Sequence, residues 1–240
     1  MQLKKQPILS SLSILVSSVS ITFLSGSSVA MTQVDNSPKW TGFYVGAGAG
    51  MGAWTADSNV TELGHAVTAT QKQGGDGGFF TLTAGYDYLF SCPFLVGAFI
   101  DGDLGHLTGN STIPGFVGNQ SETGSWGLGI RFGGLINPTI LPYLTAGASR
   151  AYFNRVNYNI AIPKEPFSGV TSPALTSDGY FLGAGLEAKL SSNWSLKGEY
   201  RYASYIRQSV ALKFPLVPVG ASLRFKPTIQ TFEAVLVYKF

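Results

Sequence analysis

The chain has 240 residues, a formal net charge of +3 and only 12% charged residues, with 30 glycines, one cysteine and two histidines. That length is ample for a sizeable core, while the charged fraction is about half of the roughly 25% usual for soluble domains. The balance excludes a disordered chain, a disulfide scaffold within the chain, a His-rich metal site and a nucleic-acid binder with a basic face.

Residues 1–30 read as an export signal. Lys4 and Lys5 open it, an apolar stretch follows from Ile8 to Leu24, and Ser28-Val29-Ala30 places small residues at a cleavage site. Residues 31–39 then form a short periplasmic tail. No later run reaches 18 apolar residues, so no second helical span is expected. An exported chain this apolar and this poor in charge fits a transmembrane β-barrel, whose strands need only about 9–11 residues of alternating polarity.

Eight segments carry or allow that alternation: 40–53, 79–90, 94–105, 124–136, 140–152, 178–190, 194–206 and 230–240. In the sixth, Tyr180, Leu182, Ala184, Leu186, Ala188 and Leu190 share one face, and Phe181, Gly183, Gly185, Glu187 and Lys189 the other. In the seventh, Trp194, Leu196, Gly198, Tyr200 and Tyr202 oppose Ser195, Lys197, Glu199 and Arg201. In the last, Phe232, Ala234, Leu236, Tyr238 and Phe240 oppose Glu233, Val235, Val237 and Lys239. Earlier, Asp87, Asp101, Asp103 and Arg131 fall on faces opposite rows of Leu, Ile, Phe and Val.

Alternation alone does not say which face is inside. The glycines do. Gly46, Gly48, Gly50, Gly85, Gly97, Gly127, Gly129, Gly133, Gly147, Gly183 and Gly185 lie on the charged or less apolar face, with Gly102, Gly134 and Gly198 as exceptions. Glycine weakens a strand, and open water gives no reason to accept it, whereas a narrow lumen crowded with long ionic side chains does. The apolar face therefore meets lipid, with aromatics such as Tyr86, Trp126, Tyr180, Trp194 and Phe240 toward the strand ends as interface girdles.

Three connections are tight: 91–93, 137–139 and 191–193. Between them lie long ones at 54–78, 106–123, 153–177 and 207–229. Short periplasmic turns alternating with long external loops place both termini in the periplasm. Asp76, Gly109, Pro166 and Val219 are then external and Cys92 periplasmic. The predicted fold is an all-β, eight-stranded antiparallel up-and-down transmembrane barrel over 40–240.

Lys39-Trp-Thr-Gly-Phe-Tyr-Val-Gly-Ala-Gly-Ala-Gly50 resembles the first strand of the small outer-membrane immunogenic proteins, eight-stranded porin-family barrels of Gram-negative bacteria. Asn193-Trp-Ser-Leu-Lys-Gly-Glu-Tyr-Arg-Tyr202 is similar to their seventh strand, and Ala234-Val-Leu-Val-Tyr-Lys-Phe240 to their last. The resemblance runs from about Trp40 to Phe240. It implies an outer-membrane location, and it makes Tyr238 and Phe240 a signal read by the outer-membrane assembly machinery. The chain stops at Phe240, so the peptidoglycan-binding domain of the larger outer membrane protein A type is expected to be absent.

The expected lumen holds Asp87, Asp101, Asp103, Glu187, Glu199 and Glu233 with Arg131, Lys189, Lys197, Arg201 and Lys239, six acids against five bases. The tight turn at 191–193 pairs Leu190 with Trp194, Lys189 with Ser195 and Glu187 with Lys197, which predicts a Glu187–Lys197 ion pair across neighbouring strands. Nearly balanced charge in so narrow a barrel predicts a plugged lumen. A gated ion path is the alternative; the mixed charge argues against it, because a conducting pore more plausibly carries one sign of charge at a constriction.

The rival enzyme class, a lipid A-modifying barrel, needs a nucleophile with a positioned histidine. His65 and His106 fall in or beside loops with no acid fixed next to them. No catalytic, metal or cofactor residue is therefore expected. Between Glu199 and Glu233 there is no acid; Arg207, Lys213, Arg224 and Lys226 form an external basic loop suited to lipopolysaccharide phosphates or an anionic host ligand. The sequence thus reads as a non-enzymatic surface barrel that supports envelope integrity, with loops open to host or small-molecule ligands and no nucleic-acid role. A narrow porin is the first alternative and the lipid A enzyme the second.

Overall fold

The structure, a computed structural model, describes residues 39–62, 65–66, 71–91, 93–113, 116–160, 170–212 and 221–240. The expected export signal, most of the tail after it, Cys92, Pro166, Lys213 and Val219 fall outside the described residues, as does the side chain of His65.

Twelve β elements follow in chain order: β1 (Gly42–Glu62), β2 (His65–Ala66), β3 (Gln71–Leu89), β4 (Phe94–Ile113), β5 (Phe116–Gly134), β6 (Ile140–Phe153), β7 (Val156–Ile160), β8 (Val170–Ser172), β9 (Leu175–Lys189), β10 (Trp194–Tyr205), β11 (Gln208–Ala211) and β12 (Ala221–Lys239). Eight of them build the wall in the order β12-β10-β9-β6-β5-β4-β3-β1, every neighbour antiparallel, and β1 pairs with β12 to close the barrel. Closure satisfies every backbone edge internally, the condition for crossing a bilayer with strands. It is completed where Phe240 N donates to Phe43 O at 3.0 Å, beside Gly42. Gly42 has φ of 140°, a backbone that side-chain-bearing residues rarely adopt.

The two-residue period decides inside from outside. On β3, Phe80 and Leu82 are 74% and 62% exposed while Thr81 and Thr83 are buried. On β9 and β10, Leu182, Leu186, Leu196 and Tyr200 face out, and Glu187, Ser195, Lys197 and Glu199 are buried. A soluble protein could not present so continuous an apolar surface to water. The apolar face on β1 runs from Phe43 to Met51, the length a tilted strand needs to cross hydrocarbon.

The strand starts at the short-turn end agree with the sequence reading within about two residues. The register through 191–193 does too: Ser195 pairs with Lys189 and Lys197 with Glu187. The turn is held by Leu190 N donating to Trp194 O at 2.9 Å and Trp194 N donating to Ser191 Oγ at 3.2 Å. At 137–139, the Asn137 side-chain oxygen accepts from Thr139 N at 2.9 Å, the local bond that makes asparagine a turn former.

The long connections are the correction. Most of 54–78, 106–123 and 207–229 is strand, not loop: β1 continues to Glu62, β3 starts at Gln71, β4 runs to Ile113, β5 starts at Phe116, and β12 starts at Ala221. The apolar outward row is lost there because that face meets water instead of lipid above the membrane, while Trp54, Leu107 and Phe225 stay buried inward; backbone pairing needs no apolar outer face. Two irregularities mark the change of level, one in β4–β5 between Leu104 and Leu107 and one in β5–β6 between Glu122 and Gly124. Such bulges reset which face a residue occupies.

Candidate functional site in the lumen

The buried face of the wall carries the chemistry, and glycines make room for it. A Cβ at Gly127 would fall against the Asp101 carboxylate, one at Gly97 against Asp87, and one at Gly183 against Thr145 and Glu199. Gly198, on the lipid face, has nothing within 4 Å of its ideal Cβ.

Nine of the eleven predicted lumen ions form two clusters. In the first, near the short turns, Arg131 of β5 bridges two strands on opposite sides of it. Its Nε and Nη2 donate to Asp87 at 2.7 and 2.5 Å, and its Nη1 donates to Glu187 at 2.7 Å. Lys239 Nζ donates to Asp87 Oδ2 at 2.5 Å and to the Trp40 carbonyl at 2.6 Å. Ser195 Oγ donates to the second oxygen of Glu187 at 2.5 Å. The rings of Tyr44 and Tyr143 flank the guanidinium, centroids 5.2 and 5.3 Å away. Two acids meet two bases, so this cluster is neutral.

The second cluster lies in mid-lumen. Arg201 donates to Asp101 at 2.6 Å and to Glu199 at 3.0 Å, with its guanidinium 4.2 Å from the Phe181 ring centroid. Thr145 Oγ1 donates to Glu199 at 3.0 Å. Lys197 Nζ lies 3.3 Å from Glu199 and 3.6 Å from Glu233. Three acids here meet two bases.

Asp103 and Lys189 stand outside both clusters. Asp103 accepts a hydrogen bond from Ser125 Oγ at 3.1 Å but joins no ion pair among the described residues. Lys189 is half-buried at the short-turn mouth, its Nζ 4.8 Å from the Trp40 ring centroid. The predicted Glu187–Lys197 ion pair does not form, although the two residues are opposed in the ladder. Each side chain projects inward and meets a better-placed partner: Arg131, two strands away, for Glu187, and Glu199 on its own strand with Glu233 on β12 for Lys197.

Apolar groups close both ends. At the short-turn end Trp40, 3% exposed, packs with Leu95 and Leu141, and its Nε1 donates to Pro138 O at 2.9 Å. At the far end Trp54, Phe153 and Phe225 meet in the lumen with ring centroids 5.4–6.1 Å apart. Trp54 Nε1 donates to Leu107 O at 2.9 Å, so its one polar atom is satisfied within the apolar plug.

Sequence reasoning missed three features. The alternation places Trp40 at the start of a strand, whereas in the structure it seals a mouth. The sequence places Glu122 in the 106–123 connection, yet it is buried on β5, with Oε1 making no hydrogen bond among the described residues. It lies beyond Trp126, the last outward aromatic of β5, and burial, then the nearby Asp103 charge, pushes its carboxyl up to about 8. The β5 bulge turns Glu122 inward, and no local pattern announces a bulge. Third, Arg150 and Asp178 pair at 2.5 Å on the outer rim beside Trp126.

Other predicted residues are placed as follows. Arg207, between β10 and β11, and Lys226, on β12, are exposed at the far end, and Arg224 lies two residues before Lys226 on β12. His106 is exposed on the outer face of β4. Tyr238 and Phe240 stack edge-on at 5.1 Å, and Tyr238 meets Trp194 at 5.0 Å, in an aromatic rim at the short-turn end.

The family model for the outer membrane protein beta-barrel domain matches residues 20–240. The 25 kDa outer-membrane immunogenic protein of Brucella melitensis is 31% identical over 141 residues, which are 59% of this chain and 57% of that protein. The match therefore spans little more than half the length of that relative. The 31 kDa outer-membrane immunogenic protein of the same organism is 26% identical over 216 residues, 84% of each chain. Among solved structures, the outer membrane protein OprG from Pseudomonas aeruginosa aligns with a TM-score of 0.56 at 13% identity, over 86% of this chain and 100% of that one; at that identity the likeness concerns the fold alone. With its closed eight-stranded wall, lipid-facing apolar band and ionic interior, the chain belongs to the outer membrane protein beta-barrel domain family and resides in the outer membrane.

Proposed function

We propose that this protein is a non-conducting, non-enzymatic surface barrel that supports the integrity of the outer membrane and presents its external extension for recognition. The observation that carries this reading is the double closure of the lumen. Trp40 fills one mouth and the Trp54–Phe153–Phe225 plug the other, with paired ions between them. An ion crossing this interior would have to displace both plugs and break charge-assisted bonds of 2.5–2.7 Å. The immunogenic relatives support presentation at the cell surface. Against an enzymatic role, His106 faces outward on β4, away from the buried acids.

Single-channel recording of the barrel purified from outer membranes tests the reading. The expected trace is silent, with at most rare and small openings. Steady conductance steps that survive repurification would overturn it in favour of a narrow porin. A mass shift in lipid A upon expression would overturn the non-enzymatic part.

A further inference from the structure

The outward face of β12, β1 and β3 changes character sharply along the barrel axis. Register places Phe232, Met51 and Gly78 in one row at the top of the apolar band. The next outward row is Gln230, Ala53 and Asp76, then Thr228, Thr55 and Gly74, then Lys226, Asp57 and Lys72. A surface cavity of about 270 Å³ opens between these rows, lined by Thr55, Asp57, Lys72, Lys226 and Thr228.

Asp57 lies opposite a lysine on each side, yet neither lysine joins it in an ion pair among the described residues. Both ammonium groups remain available to an outside anion. Arg224, two residues above Lys226 and paired with Ser209 of β11, extends the basic surface, as does exposed Arg207. Four bases thus meet two acids, Asp57 and Asp76, on one sector of the outer wall.

From this juxtaposition we infer a headgroup site for a phosphorylated glycolipid of the outer leaflet, held between Lys72 and Lys226 with its acyl chains on the apolar band below. Height selects the lipid class. The lysine row stands six residues above Met51, which at about 3.3 Å per residue and a tilt near 40° is about 15 Å above the apolar band. The headgroup layer of an ordinary phospholipid reaches only about 5–8 Å beyond the hydrocarbon. A glycolipid whose sugars carry phosphate reaches the row. Thr55 and Thr228, one row lower, offer hydroxyls at the level of its sugars. The inference rests on the outer wall alone and stands or falls independently of the sealed lumen.

The test uses the full barrel purified from outer membranes, with thermal unfolding followed by heat-modified gel mobility. Rough lipopolysaccharide, the same material after chemical dephosphorylation, inorganic phosphate at matched phosphate concentration, and a soluble sulfated polysaccharide are the probes. Phosphorylated glycolipid is expected to raise the unfolding midpoint. The Lys72→Gln, Lys226→Gln double variant should need at least tenfold more glycolipid for the same rise, and Lys72→Arg, Lys226→Arg should restore it. Both positions lie outside the packed lumen, and the unliganded midpoint of each variant checks its folding. Equal stabilisation by dephosphorylated glycolipid, or an unchanged response in the Gln variant, overturns the site. An equal effect of inorganic phosphate, or tighter binding of the sulfated polysaccharide, overturns the lipid as its occupant.

Discussion

Glu187 and Lys197 stand directly opposite each other in the β9–β10 ladder, yet they belong to different ion clusters. Glu187 is bonded to Arg131 from β5 and Ser195 from β10; Lys197 reaches Glu199 on its own strand and Glu233 on β12. In a closed barrel every inward side chain competes for partners from all round the lumen, so ladder neighbours have no monopoly on each other. A Glu187→Gln, Lys197→Met double-mutant cycle in detergent should therefore show near-additive effects. The cycle between Arg131 and Asp87 should show strong coupling, and Arg131→Met alone should cost about 3–5 kcal/mol, because it strands buried carboxylates without their counter-charge. Coupling of Glu187 to Lys197 as large as that of Arg131 to Asp87 would contradict the two-cluster arrangement.

The two seals should be separable from the ion clusters. Trp54→Ala removes the centre of a packed aromatic group and should destabilise the barrel by about 3–5 kcal/mol. Trp40→Ala should cost less, since its ring closes a mouth within a small cluster of Leu95 and Leu141, flanked by the half-buried Leu89 and Leu135, rather than within the main core. Neither substitution alone should give steady conductance, because one plug remains. The double variant should show frequent brief openings in a planar bilayer, and a silent double variant would place the barrier in the ion clusters instead.

Glycine substitutions should divide by face. Gly198→Ala meets no atom within 4 Å and lies in an extended strand. It should be neutral or stabilise by up to about 1 kcal/mol through the unfolded chain. Gly127→Ala would press on Asp101 and Phe181, and Gly183→Ala on Thr145 and Glu199. Both should lower the unfolding temperature, since neighbours held in short ionic bonds cannot give way. Denaturant titration of the three variants checks the contrast.

Glu122 should make the far end of the barrel sensitive to alkali. Its carboxyl is held up at about 8 by burial, with Asp103 adding to the effect. In the unfolded chain it ionises near its ordinary value of 4.5. Between those values the folded barrel holds a proton that the unfolded chain has lost, so stability falls as pH rises through the window. Glu122→Gln, which mimics the protonated form, should raise the unfolding midpoint by several degrees at pH 9 and by little at pH 4. A constant difference across that range would mean that the carboxyl is ionised in the folded barrel.

The sequence by itself determined the parts that rest on local rules. Alternation along 180–190, 194–202 and 232–240 assigned each residue to lipid or lumen because successive strand side chains point to opposite faces. The short turn at 191–193 set the β9–β10 register, since a tight connection leaves little freedom of pairing. Only the tertiary structure decided which ions meet. Lys239 bonds to Asp87, 152 positions away, and Arg201 of β10 spans the lumen to Asp101 of β4, which no spacing encodes. It also brought Trp54, Phe153 and Phe225 from β1, β6 and β12 into one plug. It turned Glu122 inward at a bulge that reverses the parity set by Gly127, Gly129 and Arg131. It carried β1, β3, β4, β5 and β12 beyond the membrane, where backbone hydrogen bonds hold the strands and the apolar alternation that marks them has no lipid to face.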